Sequence, residues 1–432
     1  MSTNQLLKPI TTERKDNLYI GGCNLVELAN EYGTPLYVID EKTLRQTIQE
    51  YKKAFENYNN IKMMYASKAL CTIATSKILA DNNFGFDTVS AGEIYTVYKS
   101  GADMSTVLFN GNNKTSKEIE LALDLQVGRF SVDNFYEAKL LDNIAKKRNC
   151  LINILIRITP GIECHTHEYI QTGQIDSKFG FDLSQLDKIV DLITKEYTNL
   201  KIKGLHAHIG SQIFELQSYK DEIEILISEI NKLNQKYNLA LNELNIGGGL
   251  GVKYTESDTP PSISEFAQVI SNALESSQND LVLFIEPGRS IISTAGVTLY
   301  TIGSSKQVPG GKKYVAIDGG MADNPRPSMY QAQYSAEIAN QNENKLENVT
   351  IAGRFCESGD ILINNISLPT PQAGDILCVY NTGAYNYSMS SNYNKVEKPA
   401  MVLVNSGQSD MIVSRESLED LIAKECIPDR LR

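Results

Sequence analysis

The stretch Ile61–Ala74, IKMMYASKALCTIA, decides how this chain folds. Ile61, Met63, Met64, Tyr65 and Ala66 read as a buried strand, a helical pattern begins at Ala69, and Lys68 stands at the turn between them. A short apolar run followed at once by a helix is one unit of an α/β repeat. The same texture returns at FGFDTVS (84–90), TVLFNG (106–111), GRFSVD (128–133), LINILIRITP (151–160), IKGLHAHIG (202–210), LNELNIGGG (241–249) and LVLFIEPGR (281–289). Amphipathic segments such as SKEIELALDL and YKDEIEILISEINKLNQKY separate them. Eight strands alternating with helices over residues 45–290 predict a closed (β/α)8 TIM barrel; a doubly wound open sheet is the alternative.

Beyond Arg289 the pattern changes. GVTLYTIGSSK, KKYVAIDGG, NVTIAGRFCESGDILI, DILCVYNTGAY and AMVLVNSGQSDMIV are strand-like, with Gly and Asn between them and few helical stretches. A C-terminal β domain is expected over 291–432, with residues 1–44 contributing to it and NLYIGG as a candidate added strand.

The 432 residues are 42% hydrophobic and 22% charged, the balance of a globular protein with a sizeable core. A formal net charge of −11 argues against nucleic acid or an anionic membrane as partner. The opening MSTNQLLKPITTERKD lacks the apolar stretch of a signal peptide, and no later run is long enough to span a bilayer. Seven cysteines, an odd number, fit reduced thiols, so a cytoplasmic location is expected.

Barrel active sites gather at the C-terminal ends of the strands. There the sequence places Lys68, Asp87, Ser90, Asn110, His206, His208, Gly247–Gly249 and Glu286–Arg289. Lys68 has a plain reading, in which its stem lies on apolar surface and its amine reaches water. The chemical reading is a partly dehydrated amine that attacks a carbonyl. NIGGGLG is either a tight turn or a nest of amides for an anion, and its position after the seventh strand suits a small phosphorylated cofactor. It matches neither the dinucleotide fingerprint nor a P-loop. In IEPGRS, Glu286 either pairs with Arg289 or meets a protonated ring nitrogen, leaving Arg289 for a carboxylate.

The four histidines form two H-x-H pairs, His165/His167 and His206/His208, which raises a metal-dependent hydrolase as a rival class. No histidine follows His208 and no Cys-x-x-Cys or His-Glu-x-x-His occurs, so no metal is expected. His208 is better placed to stack on a flat ring, with Ser211 in reach of a phosphate. In FCESGD, Cys356 reads either as a small hydrophobe or, beside Glu357 and Asp360, as a reactive group. Arg326, Tyr330 and Tyr385 are candidate polar contacts on loops.

Taken in order, YASKA, FDTVSAGE, RITPGIECHTHEYIQTGQIDSKFG, HAHIGSQI, NIGGGLG, EPGRS, GGMADNPRPSMY, CESGD and NTGAY resemble the diaminopimelate decarboxylases, in the ornithine/diaminopimelate/arginine decarboxylase family. Leu70 stands where many relatives carry Asn. The resemblance covers nearly the whole chain and implies a pyridoxal 5'-phosphate enzyme with an alanine-racemase-like barrel and a C-terminal β domain. It implies that Lys68 carries the cofactor as a Schiff base, and that His208 stacks on the ring. Glu286 keeps the ring nitrogen protonated. The phosphate is held by Gly247, Gly248, Gly249, Ser211, the backbone of Pro287, Gly288 and Arg289, and the Tyr385 hydroxyl. The implied reaction converts meso-2,6-diaminopimelate to L-lysine and carbon dioxide, the substrate amine displacing Lys68. Arg289, Arg326, Tyr330 and Tyr385 then contact substrate, with Arg289, Arg326 and Tyr330 on the distal carboxylate; Glu357 holds the distal ammonium and Cys356 protonates the carbanion. Cys356 and Glu357 come from the partner subunit, which implies a homodimer with shared active sites. The segment His165–Gly173 is the candidate loop that closes over the substrate. Another basic amino-acid decarboxylase of this fold, acting on ornithine, arginine or carboxynorspermidine, is the nearest alternative; a non-catalytic pyridoxal phosphate-binding protein is the next.

Overall fold

A computed structural model describes residues 1–58, 60–162, 177–275, 280–342 and 345–432. It divides into two compact units. One comprises Met1–Gln5, Arg45–Lys253 and Thr259–Ile291; the other comprises Leu6–Leu44, Tyr254–Asp258 and Ile292–Arg432.

The first unit is the expected barrel. Its strands are β1 Ile61–Ala66, β2 Gly85–Thr88, β3 Val107–Phe109, β4 Arg129–Val132, β5 Ile152–Thr159, β6 Leu200–His206, β7 Glu243–Asn245 and β8 Val282–Ile285. Each pairs in parallel with the next, and β8 pairs with β1 through Leu283–Ile61, Phe284–Lys62 and Ile285–Met63, closing the ring. The open-sheet alternative is thereby excluded. Seven of the eight lie inside the stretches read as strands; β6 begins two residues earlier than its stretch, at Leu200. A core cluster of Met64, Leu108, Leu155 and Phe284, from β1, β3, β5 and β8, is buried; burying each such side chain stabilises the fold by about 1.5–3 kcal/mol. The N-terminal residues pack here too, with the Asn4 amide donating to the carbonyls of Gly251 (3.0 Å) and Pro261 (2.8 Å).

The first helix starts later than its pattern suggests. Ser67–Ala69 form a single 3-10 turn, and the α-helix runs Ile73–Ala80. Thr72 caps it in a reciprocal capping box with Thr75, which fixes the start more firmly than apolar spacing does. Lys68 therefore stands on a short turn between strand and helix.

The second unit is β-rich. Its large sheet contains Gly296–Gln307, Lys313–Ile317, Leu346–Ala352, Ile361–Pro369 and Ala400–Asn405. The N-terminal strand it takes in is Leu36–Asp40, antiparallel to Gly296–Leu299 and parallel to Ala400–Val404. NLYIGG supplies Leu18–Ile20 to a separate three-stranded sheet. No helix among the described residues is long and apolar enough to cross a membrane.

Candidate active site

At the C-terminal ends of the barrel strands, Lys68, Asn110, Lys114, Arg157, His208 and Glu286 line one cavity of about 340 Å³. Three of these, Lys68, His208 and Glu286, are residues that the sequence singled out for chemistry. The lysine's surroundings differ from the apolar rim expected for it. Its side chain is exposed, and it lies in electrostatic range of Asp87, Glu93 and Glu286.

Glu286 follows β8 and is buried. The Asn245 amide donates to its Oε1 at 2.7 Å, and His206 Nε2 lies 3.6 Å from Oε2, an electrostatic contact beyond hydrogen-bond reach. Burial opposes charge on this carboxyl, but the His206 ring, the Asn245 amide and the Lys68 amine outweigh it and hold it below the usual range. Burial also pushes His206 toward its neutral form while Glu286 pulls it back; the Asn245 bond is the firmer support of the Glu286 charge. The other His206 nitrogen bonds Ser131 Oγ at 2.7 Å, so this histidine serves Glu286 and the β4 strand.

Asp87, at the end of β2, is the counterpart of Glu286. Burial, with Glu286 adding to it and Lys68 opposing, pushes its carboxyl up to about 8. Two interacting carboxyls are thus split, one held toward its charged form and the other toward its protonated form. His208 is held well below its ordinary value, first by burial and then by Lys68 and Arg157. Its Nδ1 accepts the Gly248 N–H at 3.3 Å, as a neutral ring does.

The glycine run is built as tightly as a nest requires. Gly247 (φ +64°) and Gly249 (φ +110°) occupy the left-handed side, and a Cβ on Gly248 would lie 2.1 Å from the Glu286 carbonyl oxygen. The expected set of three anion-facing amides shrinks, however. Gly247 N–H donates to Asn245 Oδ1 at 2.9 Å and Gly248 N–H to His208, so Gly249 holds the amide left for an anion. Ser211 is on the loop after β6, next to Gly210, whose carbonyl oxygen would lie 2.5 Å from a Cβ on Gly249, and its Oγ accepts from Arg289 Nε (3.2 Å) and Nη2 (2.9 Å). The carbonyl of Pro287 accepts the Ala66 N–H at 3.2 Å, and a Cβ on Gly288 would meet Ala66 at 2.9 Å. Both residues bind the end of β8 to the end of β1.

Sequence reasoning missed a buried polar network beside Lys68. Arg157, inward-facing on β5, is buried; its Nη1 donates to Asn110 Oδ1 at 3.0 Å and its guanidinium sits 4.5 Å from the Phe179 ring centroid. Lys114 Nζ donates to Glu137 Oε1 (2.7 Å) and to the carbonyls of Gly111 (2.8 Å) and Ser131 (2.7 Å). The signal was available: an arginine inside the apolar run LINILIRITP is costly unless it serves a site.

In the β unit, Arg326 begins the short helix Arg326–Tyr330. It is buried, its Nη1 donates to Tyr334 Oη at 2.6 Å, and its guanidinium lies over the rings of Tyr254 (5.0 Å) and Tyr334 (5.7 Å). Among the described residues it forms no ion pair with an acid. Tyr330 is half-buried; Tyr385 has φ +61°, a conformation rare for a bulky side chain. Cys356 and Glu357 are exposed, and Glu357 accepts a hydrogen bond from the Tyr393 hydroxyl. His165, His167 and the segment His165–Gly173 lie outside the described residues.

Residues 41–293 match the family model of the pyridoxal-dependent decarboxylases, pyridoxal binding domain. The chain is 46% identical to a diaminopimelate decarboxylase of Synechocystis over 100% of this chain and 95% of the relative. It is 42% identical to one of Bacillus subtilis over 94% of each. The chain belongs to the diaminopimelate decarboxylase family. Among solved structures, the diaminopimelate decarboxylase of M. jannaschii in complex with L-lysine superposes with a TM-score of 0.93 at 33% identity, over 99% of this chain and 100% of that one. A lysine/ornithine decarboxylase of Vibrio vulnificus shares the fold, with a TM-score of 0.77 at 24% identity.

Proposed function

We propose that this protein removes carbon dioxide from meso-2,6-diaminopimelate to give L-lysine, using pyridoxal 5'-phosphate attached at Lys68. The observation that carries this reading is a single barrel cavity presenting an amine, a neutral imidazole and a buried carboxylate held in its charged form. The residues fit the cofactor. The Gly247–Gly249 turn is closed to any Cβ, its Gly249 amide is left for a phosphate, and a hydroxyl and a guanidinium stand together at Ser211 and Arg289.

Bound there, the cofactor supplies an aldehyde for amines and an electron-withdrawing ring. Lys68 would supply the amine that holds it. The uncharged His208 ring covers a flat surface without adding charge. Glu286 supplies the negative charge that keeps a ring nitrogen protonated, and Asn245 fixes its direction. Gly249, Ser211, the backbone N–H groups of Gly288 and Arg289, and Tyr385 are assigned to the phosphate; Pro287, which has no N–H and whose carbonyl accepts from Ala66, shapes the turn that presents them.

Arg326, a buried guanidinium with no acidic partner among the described residues, is matched to the distal carboxylate of the substrate, with Arg289, Tyr330 and Tyr385 as further contacts. Leaving the departing carboxylate free of such a clamp keeps ground-state binding from opposing its loss. Glu357 is assigned to the distal ammonium. Cys356 is assigned to deliver a proton to the α-carbon. Their exposure in the single chain supports a homodimer in which each copy supplies them to its partner. A cytoplasmic location is proposed on the same footing.

The deciding assay is carbon dioxide release from diaminopimelate against ornithine and arginine. Turnover of diaminopimelate with L-lysine as product is expected. Turnover of ornithine in its place would overturn the substrate assignment.

A further inference from the structure

The substrate residues of the β unit sit on two separate loops. One runs from Gly319 into the short helix Arg326–Tyr330 and carries Arg326 and Tyr330; the other runs Gly353–Asp360 and carries Cys356 and Glu357. The Asp360 carboxylate bonds to both. Asp360 is 4% exposed; its Oδ1 accepts the Met321 N–H at 2.7 Å and its Oδ2 accepts the Phe355 N–H at 2.9 Å. Its own backbone closes the second loop, with Asp360 N–H donating to the Glu357 carbonyl (3.1 Å) and Gly353 N–H donating to the Asp360 carbonyl (2.9 Å). Two more bonds run between the same loops: Arg354 N–H to the Gly319 carbonyl at 3.0 Å, and Ser328 Oγ to the Gly359 carbonyl at 2.9 Å.

Resting on the assignment of Cys356 and Glu357 to the substrate, we infer that Asp360 is a positioning residue: its buried carboxylate anchors the acid loop, and with it Cys356 and Glu357, on the Gly319–Tyr330 segment. The chemistry requires aspartate. Both neighbours at the carboxylate are N–H donors, so both oxygens must accept, and an asparagine would turn an N–H₂ toward one of them. The space is cut to size, because a Cβ on Gly320 would lie 2.5 Å, and on Gly353 2.1 Å, from its oxygens. Among the described residues no cation pairs with Asp360. Burying a carboxylate against amides alone is a costly way merely to tie two loops. Holding reacting groups within a fraction of an ångström justifies that cost, since a 1 Å misplacement costs on the order of 100-fold in rate.

The test uses the full-length enzyme with pyridoxal phosphate bound. D360N is expected to lower kcat/KM for diaminopimelate about 100-fold, while cofactor loading at Lys68 stays at the unmodified level. In a C356A/E357Q background the same D360N change is expected to cost less than about threefold, because the groups it positions are gone. G320A, which crowds the carboxylate, is a second variant held to the same two comparisons. A full-size loss in both backgrounds, or an unchanged kcat/KM in D360N, overturns the inference. A C356A/E357Q enzyme as active as the unmodified one overturns the roles of Cys356 and Glu357, and the inference with them.

Discussion

Replacing Arg326 with Met separates a substrate-binding cation from a structural one. The guanidinium is buried, spends one N–H on Tyr334 and has no acidic partner among the described residues. A buried unpaired charge is a liability, and exchanging it for an apolar side chain of similar volume is often neutral or stabilising. The lost contacts with the Tyr254 and Tyr334 rings are partly recovered by a methionine against the same surfaces. The melting temperature of R326M should therefore stay level or rise. Binding moves the other way. Truncating one partner of a buried charge pair costs about 3 kcal/mol, which is roughly 150-fold. KM for diaminopimelate should rise by about that factor, read by carbon dioxide release over a wide substrate range. An unchanged KM would refute the carboxylate assignment. A melting temperature lowered by more than about 8 °C, the shift that 1 kcal/mol gives at most in a small domain, would show that the cation is structural.

Two further outcomes follow from the barrel's polar network. K114M strands Glu137 as an uncompensated buried acid; a loss of about 3–5 kcal/mol is expected, and K114M/E137L should recover most of it in urea unfolding. Asp87 has a folded-state pKa raised to about 8 by burial first and Glu286 second. Its contribution to stability is thus fully present below the ordinary aspartate range and is lost as pH rises through about 8. The cofactor-free protein should melt lower at pH 8.5 than at pH 5 from this group, and D87N should flatten that difference; an unchanged slope would contradict the shift.

How much of this was legible in the sequence follows from what each residue senses. The eight strands were readable because a parallel barrel strand is buried on both faces and appears as a short apolar run. Lys68, His208 and Glu286 stood out as polar groups ending such runs. The helix after Lys68 begins at Ile73 because a Thr72–Thr75 capping box overrides apolar spacing. Leu36–Asp40 was passed over as the added strand because nothing local says that its partners are Gly296–Leu299 and Ala400–Val404. Two of the three glycine amides turned out to be spent inside the barrel, a fact of register with Asn245 and His208 rather than of composition. The joins through Asp360 and Lys114 depend on residues that only the tertiary fold brings together.

Borohydride reduction of the purified protein after incubation with pyridoxal phosphate, followed by mapping of the modified peptide, tests the central claim most directly. A single stable adduct on Lys68, in the peptide around YASKA, is the predicted result. A reduced protein without an adduct, or with its adduct on another lysine, would contradict it.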